Sequence, residues 1–216
     1  MKIFSCEILY FCTLFLKKAE LEKVKNIIRR MLNSRGYGVQ SPYAYTFLLD
    51  VVRQENPYYD YARLHSERTY TESAVDNTEE VDKLLFRISN FVQPDNILVP
   101  EGWVMSRDYL SAGCRKSAVM SYADKDDLCQ LVESQPILDM VCMDHLQTAY
   151  HIKDRLLSRI SSKSIFIIKN IRQNPSLWQE LQTEDRARQI FDLYNWGIVF
   201  FNPVLTRGKY FVNAFK

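Results

Sequence analysis

Asp144 and His145 follow a mostly apolar run, residues 138–143. An acid and an imidazole side by side at a strand end can work as a general acid/base pair. The same Asp can instead cap the helix that begins after it, by accepting orphan backbone amides. Lys169 follows a second apolar run, residues 164–168, in the same way. It could hold an anion, pair with Asp144, or simply lie on the surface. Trp103 could stack on a planar ligand or fill space within the protein. The cysteines are Cys6, Cys12, Cys114, Cys129 and Cys142, an odd number without a CxxC pair. With only His65, His145 and His151 available, no zinc spacing exists, and no metal site is expected. Cys142 belongs to a strand and reads as inert core. Cys114 lies in the polar stretch Ser111–Lys116, where Arg115 and Lys116 could lower its pKa. GxSxG, P-loop and HExxH motifs are all absent.

The elements that must position these residues follow from periodicity. Ser41-Pro42 starts a helix with Tyr45, Leu48, Leu49 and Val52 on one face. Residues 54–78 are polar and rich in Tyr, and read as a long loop with a little helix. Glu79–Val92 is an amphipathic helix ended by Pro94-Asp95. Short apolar strands are then expected at 96–99, 118–122, 138–143 and 164–168. Helices are expected at 126–134, 146–160 and 174–186. Three β segments, 188–193, 197–201 and 209–215, close the chain, the last two read as a hairpin across 202–208. Continuous apolar strands separated by helices bury both faces of a parallel sheet. The fold class is therefore α/β, doubly wound and mostly parallel, with a C-terminal antiparallel hairpin. Residues 1–78 form an N-terminal helical extension and loop, and residues 79–216 the α/β domain.

Residues 3–16 are strongly apolar and interrupted by Glu7, too short a run to span a bilayer, which takes roughly 20 residues. They read first as a core-docking helix, with an interfacial anchor or an upstream start codon as alternatives. Residues 17–35 hold seven Lys/Arg and two Glu, with Leu21, Val24, Ile28 and Leu32 at helical spacing. This is a basic amphipathic helix with a solvated basic face. Membrane-surface contact through residues 3–35 is the less favoured reading. A net charge of +2 with 47% apolar residues gives no reason to expect nucleic acid. Free thiols suit a cytoplasmic location.

Five segments carry a family resemblance. Residues 36–43, Gly-Tyr-Gly-Val-Gln-Ser-Pro-Tyr, resemble the GYGIHSPF segment that opens a bacterial methyltransferase-like family. Lys83–Arg87 with Pro94–Leu98 resembles that family's approach to its first strand. Asp139–His145 resembles its fourth strand, DLVFIDGNH. Ser164–Ile171 resembles its fifth, SVFIFDDIH, and Gly197–Phe201 resembles the GIVFF before its terminal strands. The match covers residues 30–216 and implies a class I fold that binds S-adenosylmethionine (SAM).

The departures from that pattern bear on function. The family's glycine-rich turn after strand one corresponds to Val99-Pro100-Glu101-Gly102-Trp103-Val104-Met105, where only Gly102 is glycine. Asp124 falls slightly late for the acid that takes the ribose hydroxyls. About 15 residues separate the second strand from Leu138, so the family's third strand is expected to be missing. Lys169 and Asn170 replace aspartates, and Gln40 replaces a histidine. A lysine there opposes cation binding. The resemblance thus implies Gly102 and Asp124 as cofactor-binding residues and Asp144 and His145 as catalytic ones, in a site eroded at several points. The expected function is a non-catalytic binding or scaffold protein needing no cofactor, with an unidentified protein partner. The alternative is a divergent SAM-dependent methyltransferase. An eroded site predicts Trp103 and Met105 filling the cleft.

Overall fold

The computed structural model describes residues 25, 28, 30–32, 35–70, 77–145 and 151–214. Seven strands form one sheet: β1 Asn96–Pro100, β2 Ala118–Tyr122, β3 Leu138–Met143, β4 Ile160–Lys169, β5 Gln189–Asp192, β6 Trp196–Phe200 and β7 Gly208–Phe211. Their spatial order is β2-β1-β3-β4-β6-β5-β7. The pairs β2–β1, β1–β3 and β3–β4 are parallel, β4–β6 and β6–β5 antiparallel, and β5–β7 parallel.

The strands are apolar on both faces because both faces are covered. Ile97, Val99, Met140, Cys142, Ile165, Ile167, Ile198 and Phe200 face one core. Their neighbours Leu98, Val141, Met143, Phe166, Ile168 and Val199 face the other. Two helices pack on the first face: α1, Pro42–Phe47 running into a π turn at Leu48–Val52, and α3, Glu79–Val92. Ser41 caps α1, its hydroxyl accepting from the Ala44 amide at 3.3 Å. Phe47 then meets Phe91, Phe191 and Phe200 with ring centroids 4.7–5.6 Å apart. The second face takes α5 Lys125–Ser134, α6 Lys153–Ser158 and α7 Pro175–Thr183.

Two further helices, α2 Tyr61–Tyr70 and α4 Val104–Gly113, meet α3 around Leu64, Phe86, Met105 and Tyr109. Neither stands out in the sequence. In α2 only Leu64 is fully buried, and polar links such as Arg63–Glu67 at 2.7 Å replace an apolar stripe. The long loop expected over 54–78 therefore holds a ten-residue helix. In α4 the buried positions mix Met105, Ser106, Tyr109 and Gly113. A Cβ on Gly113 would collide with the Phe86 carbonyl, so glycine permits the close contact with α3. Cys114 ends this helix and is buried at 2% exposure, with Sγ 3.5 Å from Gln93 Oε1. It is not in the polar loop expected for it, and Arg115 turns away to Asp60 at 3.1 Å.

Three other expectations change. The antiparallel hairpin is β5–β6, turning at Leu193–Asn195, and β7 pairs parallel with β5 rather than folding back on β6. Among the described residues no strand lies beyond β2, in agreement with a missing third strand. The basic helix, where described, turns a different face inward. Ile28 and Leu32 are exposed at 45% and 43%, whereas Arg30 is buried at 9%. Arg30 reaches Asp192 at 2.8 Å, and that carboxylate also takes Arg172 at 2.8 and 2.9 Å. The remainder of residues 1–24, and residues 146–150 of the helix expected at 146–160, lie outside the described residues. Among those residues no helix is long and apolar enough to cross a membrane.

Candidate functional site

In an open α/β sheet, ligands bind at the carboxyl ends of the strands, where the strand order reverses. Here that point lies between β1 and β3, with β4 beside it. Pro100, Met143 and Lys169 are the last residues of these strands, so the turns after them bring Gly102, Trp103, Asp144 and Asn170 to one edge.

Trp103 packs at this edge. It is 1% exposed, and its indole N–H donates to Asp144 Oδ1. Its ring meets Trp196 edge-on at 5.3 Å. The Lys169 ammonium sits 5.9 Å from both indole centroids, because Lys169 and Trp196 are cross-strand partners in β4 and β6. Asn170, at φ 60, reaches across the strand ends: Nδ2 donates to the Asp144 carbonyl at 3.2 Å, and Oδ1 accepts from Asn195 at 3.3 Å. Asn adopts this left-handed conformation more readily than other side chains with a Cβ. On the opposite sheet face the Tyr122 hydroxyl donates to the Cys142 carbonyl at 2.8 Å. Burial pushes both the Tyr122 hydroxyl and the Cys142 thiol upward, so both keep their protons.

The residues expected to form a site are thus only partly brought together. Asp144 is central and half-buried, but its carboxylate takes a tryptophan. His145 is exposed. The helix start that Asp144 might cap lies outside the described residues. Gly102 is exposed, with open space where a Cβ would stand. Asp124 is exposed and caps α5, its Oδ1 accepting from the Asp126 and Asp127 amides at 2.9 Å each. Met105 does not reach the crevice and packs with Leu64, Phe86 and Tyr109 instead. Sequence reasoning missed Trp196 and Asn195, whose part depends on the β5–β6 turn. Among the described residues no group of three His, Cys, Asp or Glu side chains could hold a metal ion.

The sheet order and its helices define a methyltransferase-like, Rossmann-like fold. A methyltransferase from Geobacter sulfurreducens aligns over 68% of this chain and 92% of its own, at a TM-score of 0.50 and 14% identity. An O-methyltransferase from Bacillus cereus, solved in complex with SAH, aligns over 70% and 96%, at a TM-score of 0.46 and 16% identity. No protein-family profile and no curated protein sequence matches the chain.

Proposed function

We propose that this chain is a methyltransferase-like domain whose SAM site is closed by its own side chains, and that it acts as a binding or scaffold protein. The observation that carries this is the burial of Trp103 against Asp144, in the crevice where the fold would take its ligand. The residues present do not fit SAM. Trp103 puts an indole where glycines would let the backbone approach the ligand, and Asp124 spends its carboxylate on two amides of α5. Lys169 adds a cation beside the Trp103 ring, and SAM is itself a cation at its sulfur.

The test is calorimetric titration of the folded chain with SAM and with SAH. The expected result is no binding up to millimolar ligand. Micromolar binding of either overturns the proposal. It would favour a divergent methyltransferase using Asp124 and Asp144, a reading that the open space beside Gly102 supports.

A further inference from the structure

Away from Trp103, a cavity of about 580 Å³ opens between the end of α1, the start of α2, the stretch of α3 from Glu80 to Arg87 and the segment after β7. This volume falls within the range of roughly 300–1,000 Å³ typical of small-molecule sites. Its wall carries Arg35, Arg53, Lys83 and Arg87 against Glu55 and Glu80, an excess of positive charge.

Arg87 is the informative residue. It is 9% exposed. Its Nε donates to the Val51 carbonyl at 2.6 Å and its Nη1 to the Tyr61 hydroxyl at 3.3 Å. Both acceptors are neutral. Among the described residues no carboxylate lies within ion-pair distance of this guanidinium, and Nη2 has no hydrogen-bond partner. Arginine stays protonated in proteins, and a buried charge is costly unless it is paired. The fork is also held rigid, because Tyr61 accepts from Arg87 and donates to the Lys83 carbonyl at 3.2 Å. A planar donor fixed in a cavity suits the bidentate recognition of a carboxylate or phosphate. Val52, Pro57 and the Tyr61 ring supply an apolar wall beside it.

We propose that this cavity binds a small organic anion, with a carboxylate or phosphate on Arg87 and an apolar body along Val52, Pro57 and Tyr61. The proposal is independent of SAM binding.

The test is an NMR titration of the full chain at constant ionic strength, following backbone amides and the Arg87 Nε–H. The probes are benzoate, inorganic phosphate and benzamide. Benzoate is expected to give saturable shifts at Val52, Arg53, Lys83 and Asn213 at millimolar concentration or below. Benzamide, lacking the charge, is expected to bind at least about tenfold more weakly, the loss of a charged hydrogen bond. Phosphate as tight as benzoate supports a phosphate ligand, and weaker phosphate supports an organic carboxylate. Arg87→Met abolishes the saturable shifts. Should that variant fail to fold, Arg87→Lys decides the matter: it keeps the charge but loses the planar fork, and severalfold weaker benzoate binding is expected. Unsaturable or scattered shifts, benzamide as tight as benzoate, or unchanged affinity in the deciding variant each overturn the proposal.

Discussion

Replacing Trp103 by Phe keeps a ring at the end of β1 but removes the N–H that Asp144 accepts. A hydrogen bond to a charged group contributes about 1.5–3 kcal/mol. Asp144 is half-buried, so the lower end applies. The smaller ring also loses contact with Trp196 and with the Lys169 ammonium, roughly another 0.5–1 kcal/mol. The expected cost is about 2 kcal/mol, a sizeable share of the roughly 5–15 kcal/mol that holds a domain folded. Urea unfolding followed by circular dichroism measures it. Combined with Asp144→Ala in a double-mutant cycle, the two changes should couple by about 1 kcal/mol or more, since each removes the same bond. Additivity within about 0.5 kcal/mol would refute the reasoning, because the indole and the carboxylate would then not be partners.

Two more outcomes follow from buried charge. Asp192 is 3% exposed and receives Arg30, Arg172, the Trp178 indole and the Tyr194 amide. Asp192→Ala leaves the Arg30 guanidinium buried without its carboxylate, an expected loss of about 3–5 kcal/mol and of roughly 10 °C in Tm; a fall under about 3 °C in calorimetry would contradict it. Asp82 is fully buried, and burial raises its pKa to about 6, against the lowering effects of Ser106 and Arg68. The folded state therefore holds this proton more tightly than the unfolded state. The resulting stability is complete below the ordinary carboxylate pKa and is lost as pH rises through about 6. The stability difference between wild type and Asp82→Asn should move against wild type by up to about 3 kcal/mol across that window. A difference independent of pH from 4 to 7 would refute the assignment.

The sheet was legible because its strands are continuous apolar strings. Ile97–Val99, Met140–Met143 and Ile165–Ile168 alternate between two cores, and only a sheet covered on both faces needs that. The missing third strand was legible as a shortage of chain before Leu138. What could not be read depends on distant partners. Arg30 faces inward because Asp192 waits 162 residues away, so the apolar spacing of Ile28 and Leu32 pointed to the wrong face. Helix α4 buries small and polar residues because α3 approaches closely at Gly113, which leaves little periodic signal. Strand β7 continues the sheet beside β5, a register no local pattern encodes. At the candidate site, the bulk of Trp103 was visible in the sequence. Its bond to Asp144 and its pairing with Trp196 were not, since these require the strand ends to be aligned.

The same geometry separates a site that is plugged from one that is lost. On the proposed reading, a ligand entering at this edge must first break the Trp103–Asp144 bond and the cation–π contact of Lys169, about 2–3 kcal/mol together. That cost weakens binding by roughly 30- to 150-fold, enough to turn a micromolar site into one near 0.1 mM. Trp103→Ala removes the plug. If the indole alone closes the site, this variant should bind SAH more tightly than wild type by about that factor. If the site is eroded, the variant stays silent, because Asp124 remains committed to the α5 cap and the glycine-rich turn is still missing. We expect silence. Calorimetry on Trp103→Ala, with folding verified by circular dichroism, decides it. A gain of thirtyfold or more would show that the ligand contacts survive beneath the tryptophan and would refute the eroded-site reading.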